Sequence, residues 1–270
     1  MKIARSARIV AAIFLAVVAI SAAVPSLWTS KSYEEQFRED PEAKPSARFP
    51  LGTDALGRDR VARLLNGTRV SLALAPAAAL LTCLAAALVG GVAGFAGGWT
   101  QSLVLGSVDL FLSLPWLFLL LLIRALLPLN TSPLVSVTVT FLMLGLLGWP
   151  ASARVVNATV RGLRDSDFAL QARASGCTSW KLFWRHFVPN LAPVLLAQFW
   201  IAVPVFILAE ATLGMLGLGI SEPLPSWGSL LRDLESADLR TQPWVAAPAA
   251  LLAAVVGCLH LILPREDYSV

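Results

Sequence analysis

Arg164–Pro193, RDSDFALQARASGCTSWKLFWRHFVPNLAP, is a polar, basic island between two long apolar segments, and its reading decides the fold. The apolar runs on either side have the length and character of membrane helices, so this stretch is where the chain surfaces. Two short helices fit within it. Ser166 or Asp167 can cap a first over Phe168–Ala174, which Gly176 then stops. Thr178 or Ser179 can cap a second over Trp180–Val188, which Pro189 ends. Trp180, Phe183, Trp184 and Phe187 fall at i, i+3, i+4 and i+7 and form one aromatic stripe, while Lys181 and Arg185 share another face. Such a helix suits lipid headgroups, the underside of a membrane domain or a protein partner. The island is therefore either a loop lying on the membrane surface or a docking element that receives force from a soluble partner.

Composition points the same way. The chain is 57% hydrophobic and 14% charged, with mean hydropathy +0.71, which exceeds the apolar share of soluble domains. It reads as an all-α membrane protein. Cys83, Cys177 and Cys258 have no paired spacing, so neither a disulfide framework nor a metal site is expected. A formal charge of +4 suits basic residues beside anionic headgroups. Those residues are scattered among membrane segments rather than gathered on one face, which argues against nucleic acid as a partner.

Six spans follow in order. Ile9–Val24, after Lys2, Arg5 and Arg8, is either a retained first helix or a cleaved signal peptide with Ser21-Ala22-Ala23 near its cleavage point. Residues 1–28 hold this segment, 29–69 form a charged, proline-containing extramembrane stretch, and 70–270 hold the remaining spans. In the middle stretch Gly52, Gly57 and Asn66-Gly67 mark turns, and Asp59–Leu65 reads as a short basic amphipathic helix on the outer surface. Asp54 and Asp59 either cap turns and pair with nearby arginines or contact substrate. The second span, Val70–Gly98, carries Gly90, Gly94 and Gly98 at four-residue spacing, a ridge for close helix packing. The third, Ser102–Leu127, holds Asp109 and Arg124, and Pro115 should kink it. Leu134–Val155 and Leu191–Leu218 follow as the fourth and fifth, and Trp244–Leu263 is the sixth.

Two intramembrane carboxylates are candidates for a translocation pathway. Asp109 lies near a membrane end, where an interfacial ion pair is the competing role. Glu210 sits well inside the fifth span, where a carboxyl hydrogen-bonded across helices is the alternative. No catalytic constellation accompanies them. There is no Walker A sequence, and His186 and His260 lack zinc-ligand spacing, so no enzyme activity, cofactor or metal is expected.

Several stretches resemble one protein family. FALQARASGCTSWKLFWRHFVPNLAPVL, from Phe168, is similar to the cytoplasmic coupling loop of ABC importer permeases. Aligned on Gly176, the family's Ala-Ala-Arg-Ala run falls on Gln171, Ala172, Arg173 and Ala174, and its Leu-Pro on Val188-Pro189. The acidic residue that often opens the motif is Leu170 here, which removes a carboxylate from that contact. PLGTDALGRDRVARLLNGTRVSL (Pro50–Leu72), Val108-Asp109 with Ser113-Leu114-Pro115, and EPLPSWGSLL (Glu222–Leu231) resemble the subclass serving dipeptides, oligopeptides and nickel, as its second permease. Phe49 stands where a histidine is common.

The resemblance implies a type I importer permease fold with six transmembrane helices and a cytoplasmic coupling loop over 164–193. It assigns Phe168, Leu170, Gln171, Ala172, Arg173, Ala174, Gly176, Trp180 and Pro189 to that loop. It implies a heterodimer with a homologous permease, two ATPase subunits that bind the ATP, an extracytoplasmic solute-binding protein, and a place in the bacterial inner membrane with the first helix retained. Peptide is the expected solute. Six spans put both termini and the loop on one side, but Lys and Arg counts do not decide which, so the cytoplasmic assignment comes from the resemblance. Two other classes remain: a proton-coupled secondary transporter using Asp109 or Glu210, whose inverted repeat is not evident, and a membrane scaffold, which leaves the loop unexplained.

Overall fold

The computed structural model describes residues 2–126 and 132–263, apart from the side chains of residues 2–4, 173, 179 and 180. The helices are α1 (Lys2–Ala23), α2 (Arg60–Ala96), α3 (Gly98–Ser113), α4 (Trp116–Leu126), α5 (Pro133–Leu147), α6 (Trp149–Arg164), α7 (Asp167–Ala174), α8 (Ser179–Leu182), α9 (Val188–Met215), α10 (Trp227–Arg232) and α11 (Ala247–Ile262). Five helical stretches among the described residues are long and apolar enough to cross a membrane. The bent pair α3 and α4 makes a sixth if it counts as one span. Leu127, the expected end of the third span, lies outside the described residues.

Local chemistry explains the breaks. Pro115 interrupts the third span so strongly that α3 and α4 meet at 77°, a sharper event than a kink. Gly97, at positive φ, separates α2 from α3, and Gly98, the first residue of α3, also holds positive φ. Pro150 and Pro248 sit in the first turns of α6 and α11, where a missing N–H costs nothing. The largest departure from the sequence reading is α2. Its 37 residues reach about 55 Å at ~1.5 Å per residue, well beyond a hydrocarbon core of ~30 Å. The stretch expected as a separate surface helix over Asp59–Leu65 is the start of α2, and Asn66-Gly67 lies within it rather than at a turn. Helical bonding carries through because nothing in Arg60–Leu72 breaks it, and tertiary packing buries Arg63.

The described chain divides into two compact units. Unit 1 comprises 1–75, 123–141 and 204–270, and unit 2 comprises 76–122 and 142–203. In unit 1, α1 packs along α11, and α11 packs against α10. Trp227, fully buried, donates its indole Nε1–H to Thr68 Oγ1 at 3.0 Å, tying α10 to α2. Ser226 caps α10 in a reciprocal pair with Ser229. A Cβ on Gly67 would lie 3.3 Å from the Ser226 carbonyl carbon, so a small residue is needed there for packing. Gly52 and Gly57 hold positive φ, as the turn reading expects.

In unit 2, α6 lies against α3 and α2. A Cβ on Gly90 would meet the Ala153 carbonyl oxygen at 2.3 Å, and one on Gly94 the Asn157 carbonyl at 2.9 Å. Those two glycines form the close-packing ridge. Gly98 does not, because nothing among the described residues lies within 4 Å of the place its Cβ would occupy. The core of this unit gathers Ala86, Val108, Ala153, Val156 and Val160 with Ala169, Leu182, Phe187 and Leu191.

Candidate functional site

The island over Arg164–Pro193 is built onto the unit 2 core. Ala169 on α7, Leu182 on α8 and Phe187 beyond it are each fully buried there. Around those anchors the opposite surface is open. Phe168 is 37% and Leu170 53% exposed, and Gln171, Ala174 and Gly176 are exposed as well. The side chains of Arg173 and Trp180 lie outside the described residues. The result is a short helix anchored from beneath by buried side chains, with an apolar and polar rim presented outward. Leu170 makes that rim apolar at the position where an acidic residue is common.

Gly176 stops α7 as the sequence reading expects. Its φ is +78°, the Ser175 N–H returns to the Gln171 carbonyl at 2.9 Å, and the Cys177 N–H to that of Ala172 at 3.0 Å. This left-handed stop needs glycine for its backbone, and among the described residues nothing crowds the place of a Cβ. Thr178 starts the next helix, with its Oγ1 accepting from the Lys181 N–H at 3.4 Å. Ser166 acts differently from a side-chain cap: its hydroxyl donates to the Leu163 carbonyl at 2.6 Å, and its carbonyl accepts the Ala169 and Leu170 N–H groups.

Two expectations need correction. Pro189 does not end the second helix. Phe183–Phe187 forms a π-helical turn that leads straight into α9, and the Val188 N–H bonds to the Phe183 carbonyl five residues back. The wider turn absorbs the donor that Pro189 lacks, and Asn190 Nδ2 takes the His186 carbonyl at 2.6 Å. The same turn reorders the aromatic stripe. Leu182, Phe187 and Leu191, spaced five and then four apart, form the buried face, while Trp184 is 53% exposed. Phe183 and Phe187 meet Phe95 edge to face, at 6.0 and 5.7 Å between ring centres.

Of the two carboxylates proposed for a pathway, Asp109 belongs to unit 2 and Glu210 to unit 1. Asp109 on α3 pairs with Arg154 on α6, both half-exposed, so it has an ion-pair partner within its own unit. Glu210 is fully buried in unit 1, with its Oε2 accepting from Ser71 Oγ at 3.3 Å. That contact joins α9 to α2 and matches the cross-helix alternative.

Residues 86–264 match the family of binding-protein-dependent transport system inner membrane components. The matched span includes the whole of the Arg164–Pro193 island. The chain belongs to that family. It is a multi-pass transmembrane permease subunit of an ABC importer. The oligopeptide transport system permease protein OppC of Mycobacterium bovis is 33% identical over 80% of this chain and 73% of its own length. A protein of Brucella suis named as a peptide permease is 32% identical over 79% of this chain and 70% of its own. OppC of Haemophilus influenzae is 30% identical over 78% and 66%.

The permease also holds polar networks that periodicity could not reveal. In unit 1, Arg58 and Arg63 bracket Asp54, and both reach Glu222, at 2.6 and 2.9 Å, from opposite ends of the sequence. Burial pushes the Asp54 carboxyl up, but the Arg58 N–H and the two guanidinium groups outweigh it and hold its pKa below the ordinary value. Asp59 caps the Val61 N–H at 2.9 Å and faces Lys31 at 3.6 Å. Both aspartates thus take the turn-and-pair role. Arg124, 3% exposed, donates to the carbonyls of Leu218 and Gly219, both at 2.9 Å, and to Ser136 Oγ at 2.7 Å. It ties the chain just past α9 to α4 and α5. Arg-Asp spacing within Pro50–Leu72 hinted at the first network, but nothing in sequence pointed to Glu222 or to the Arg124 carbonyl cage.

Proposed function

We propose that this permease carries peptides across the bacterial inner membrane as one of two homologous permeases in a heterodimer, with two ATPase subunits below and a solute-binding protein outside. The names of its relatives supply the solute class. In this reading the chain itself binds no cofactor, and ATP is held and hydrolysed by the ATPase partners. The 164–193 loop receives their motion through Phe168, Leu170, Gln171, Ala172, Arg173 and Ala174, with Gly176, Trp180 and Pro189 shaping and seating it.

The observation that carries the coupling role is the mounting of α7. Ala169, Leu182 and Phe187 bind the loop to the same core as Val156 and Val160 of α6, so a push on the exposed rim moves a membrane helix with it. A loop lying loosely on headgroups would not transmit force in this way. Closure of the ATPases would then shift α6 and α9 and alternate access. Leu170 favours an apolar seat on the ATPase in place of a charged one. Asp109 and Glu210 serve in this scheme as packing and pairing groups around the path.

The test is co-purification with the ATPase subunits, followed by uptake of labelled trialanine into reconstituted vesicles. ATP-dependent uptake that persists after the proton gradient is collapsed supports the proposal. Uptake that follows the gradient with ATP held constant overturns it.

A further inference from the structure

The π turn at Phe183–Phe187 brings out a face of the loop that the coupling role leaves unused. In a regular helix Trp184 would join Phe183 and Phe187 on the apolar stripe. Here Leu182 and Phe187 are buried instead, and Trp184 is left 53% exposed. Lys181 and Arg185, three residues before it and one after, are exposed as well. Neither cation pairs with a carboxylate among the described residues. The island's acids, Asp165 and Asp167, lie at its start, and Asp165 is taken by Arg164 at 3.1 Å. From residue 168 to residue 209 the sequence holds no acidic residue. The face is an aromatic set among positive charges that nothing nearby neutralises.

Its depth says what meets it. Phe183–Met215 runs as one apolar span of 33 residues, about 50 Å at ~1.5 Å per residue. A bilayer measures ~30 Å across its hydrocarbon and ~40–45 Å with its headgroups, so this span is long enough to pass through the headgroup layers. Pro189 and Asn190, both exposed, mark where the polar end begins, and Trp184 and Arg185 lie within ~10 Å beyond them. Tryptophan is favoured at that level, and cations there are drawn to anionic lipid. The rim of α7 that seats the ATPase stands on the other side of the left-handed stop at Gly176, so seating it does not require this face.

We infer that the Lys181–Trp184–Arg185 face binds the headgroups of anionic phospholipids. The two cations meet the phosphate groups, and the indole rests at the interface beside them. The contact fixes the depth at which the foot of α9 sits while α7 stays open to the ATPase. It makes the lipid composition of that leaflet part of the coupling element. The inference stands on the membrane placement of this permease and not on which solute it carries.

The test uses the assembled transporter with Trp184→p-benzoylphenylalanine, in nanodiscs holding equal amounts of phosphatidylglycerol and phosphatidylcholine. After irradiation, lipid adducts on the peptide containing position 184 are identified by mass spectrometry. Phosphatidylglycerol adducts should outnumber phosphatidylcholine adducts by about fivefold or more, since each nearby cation is worth about fivefold toward anionic lipid. Lys181→Gln combined with Arg185→Gln should bring the ratio to about one. Lys181→Arg combined with Arg185→Lys keeps both charges and should preserve it. With Trp184 left in place, native mass spectrometry should show fewer retained phosphatidylglycerol molecules in the double glutamine variant than in the unaltered transporter. Equal adducts to the two lipids, no lipid adduct, or an unchanged ratio or retained count in the glutamine variant overturns the inference. Cross-linking to an ATPase subunit or to the partner permease assigns the face to protein and also overturns it. Neither readout needs transport, so this inference can fail while the coupling and peptide readings stand.

Discussion

Substitutions at Gly176 should separate backbone strain from crowding as the reason for a glycine in the coupling loop. Its φ is +78°, and nothing among the described residues lies within 4 Å of where a Cβ would sit. The cost of a side chain is therefore conformational. An ordinary L-residue forced into the left-handed region costs ~1–2 kcal/mol. Valine stands at the upper end of the ~1–3 kcal/mol range for strained backbone, and asparagine well below it. A cost of about 2 kcal/mol shifts the seated and unseated forms of α7 and α8 by roughly thirtyfold. Gly176→Asn should then keep most coupled uptake, Gly176→Ala should lose a few-fold, and Gly176→Val should fall by roughly an order of magnitude or more. The assay is ATPase retention on co-purification, together with ATP-driven uptake in reconstituted vesicles. Membrane insertion and pairing with the partner permease, checked separately, should be unchanged. Normal uptake by Gly176→Val, or an asparagine variant as damaged as the valine one, would refute the reasoning.

Three further outcomes follow from particular contacts. Gly90→Ala should destabilise the permease by about 1–3 kcal/mol, since its Cβ would press on the Ala153 backbone, whereas Gly91→Ala, with nothing within 4 Å, should stabilise α2 by up to ~1 kcal/mol. Thermal unfolding of the pair in one detergent would show whether the signs oppose. Asp54 has a folded pKa below its unfolded one, so its contribution is present above the ordinary carboxylate value near ~4 and is lost as pH falls through the depressed value. The thermal midpoint should decline across that acid window, and Asp54→Asn should flatten the decline while lowering stability at neutral pH. Finally, a membrane-impermeant maleimide should leave Cys177 unlabelled on intact cells and label it in inverted vesicles, with buried Cys83 and intramembrane Cys258 reacting poorly in both. Labelling of Cys177 from outside would reverse the orientation and remove the docking role.

Much of the architecture was legible in the chain alone. Apolar runs of membrane length must form helices, because hydrocarbon offers the backbone no other hydrogen-bond partner. Pro115 and Gly176 act through local geometry, and the four-residue spacing of Gly90 and Gly94 marks one helix face that a neighbour can approach closely, so their effects could be read from their identity and position. The family-like motifs around Gly176 and Pro225-Ser226-Trp227-Gly228 were visible for the same reason. What the tertiary structure decided involves groups distant in sequence or departures from a regular period. Glu222 reaches Arg58 and Arg63 across more than 150 residues, and no spacing rule encodes that. Arg124 finds its partners only because the chain past α9 presents free carbonyls to it. The π turn at Phe183–Phe187 changes the period from 3.6 to a wider step, which exchanges Leu182 for Trp184 on the buried face and lets the helix run through Pro189. A residue's propensity is set within a few neighbours, but the side it faces and the charge it meets are set by packing.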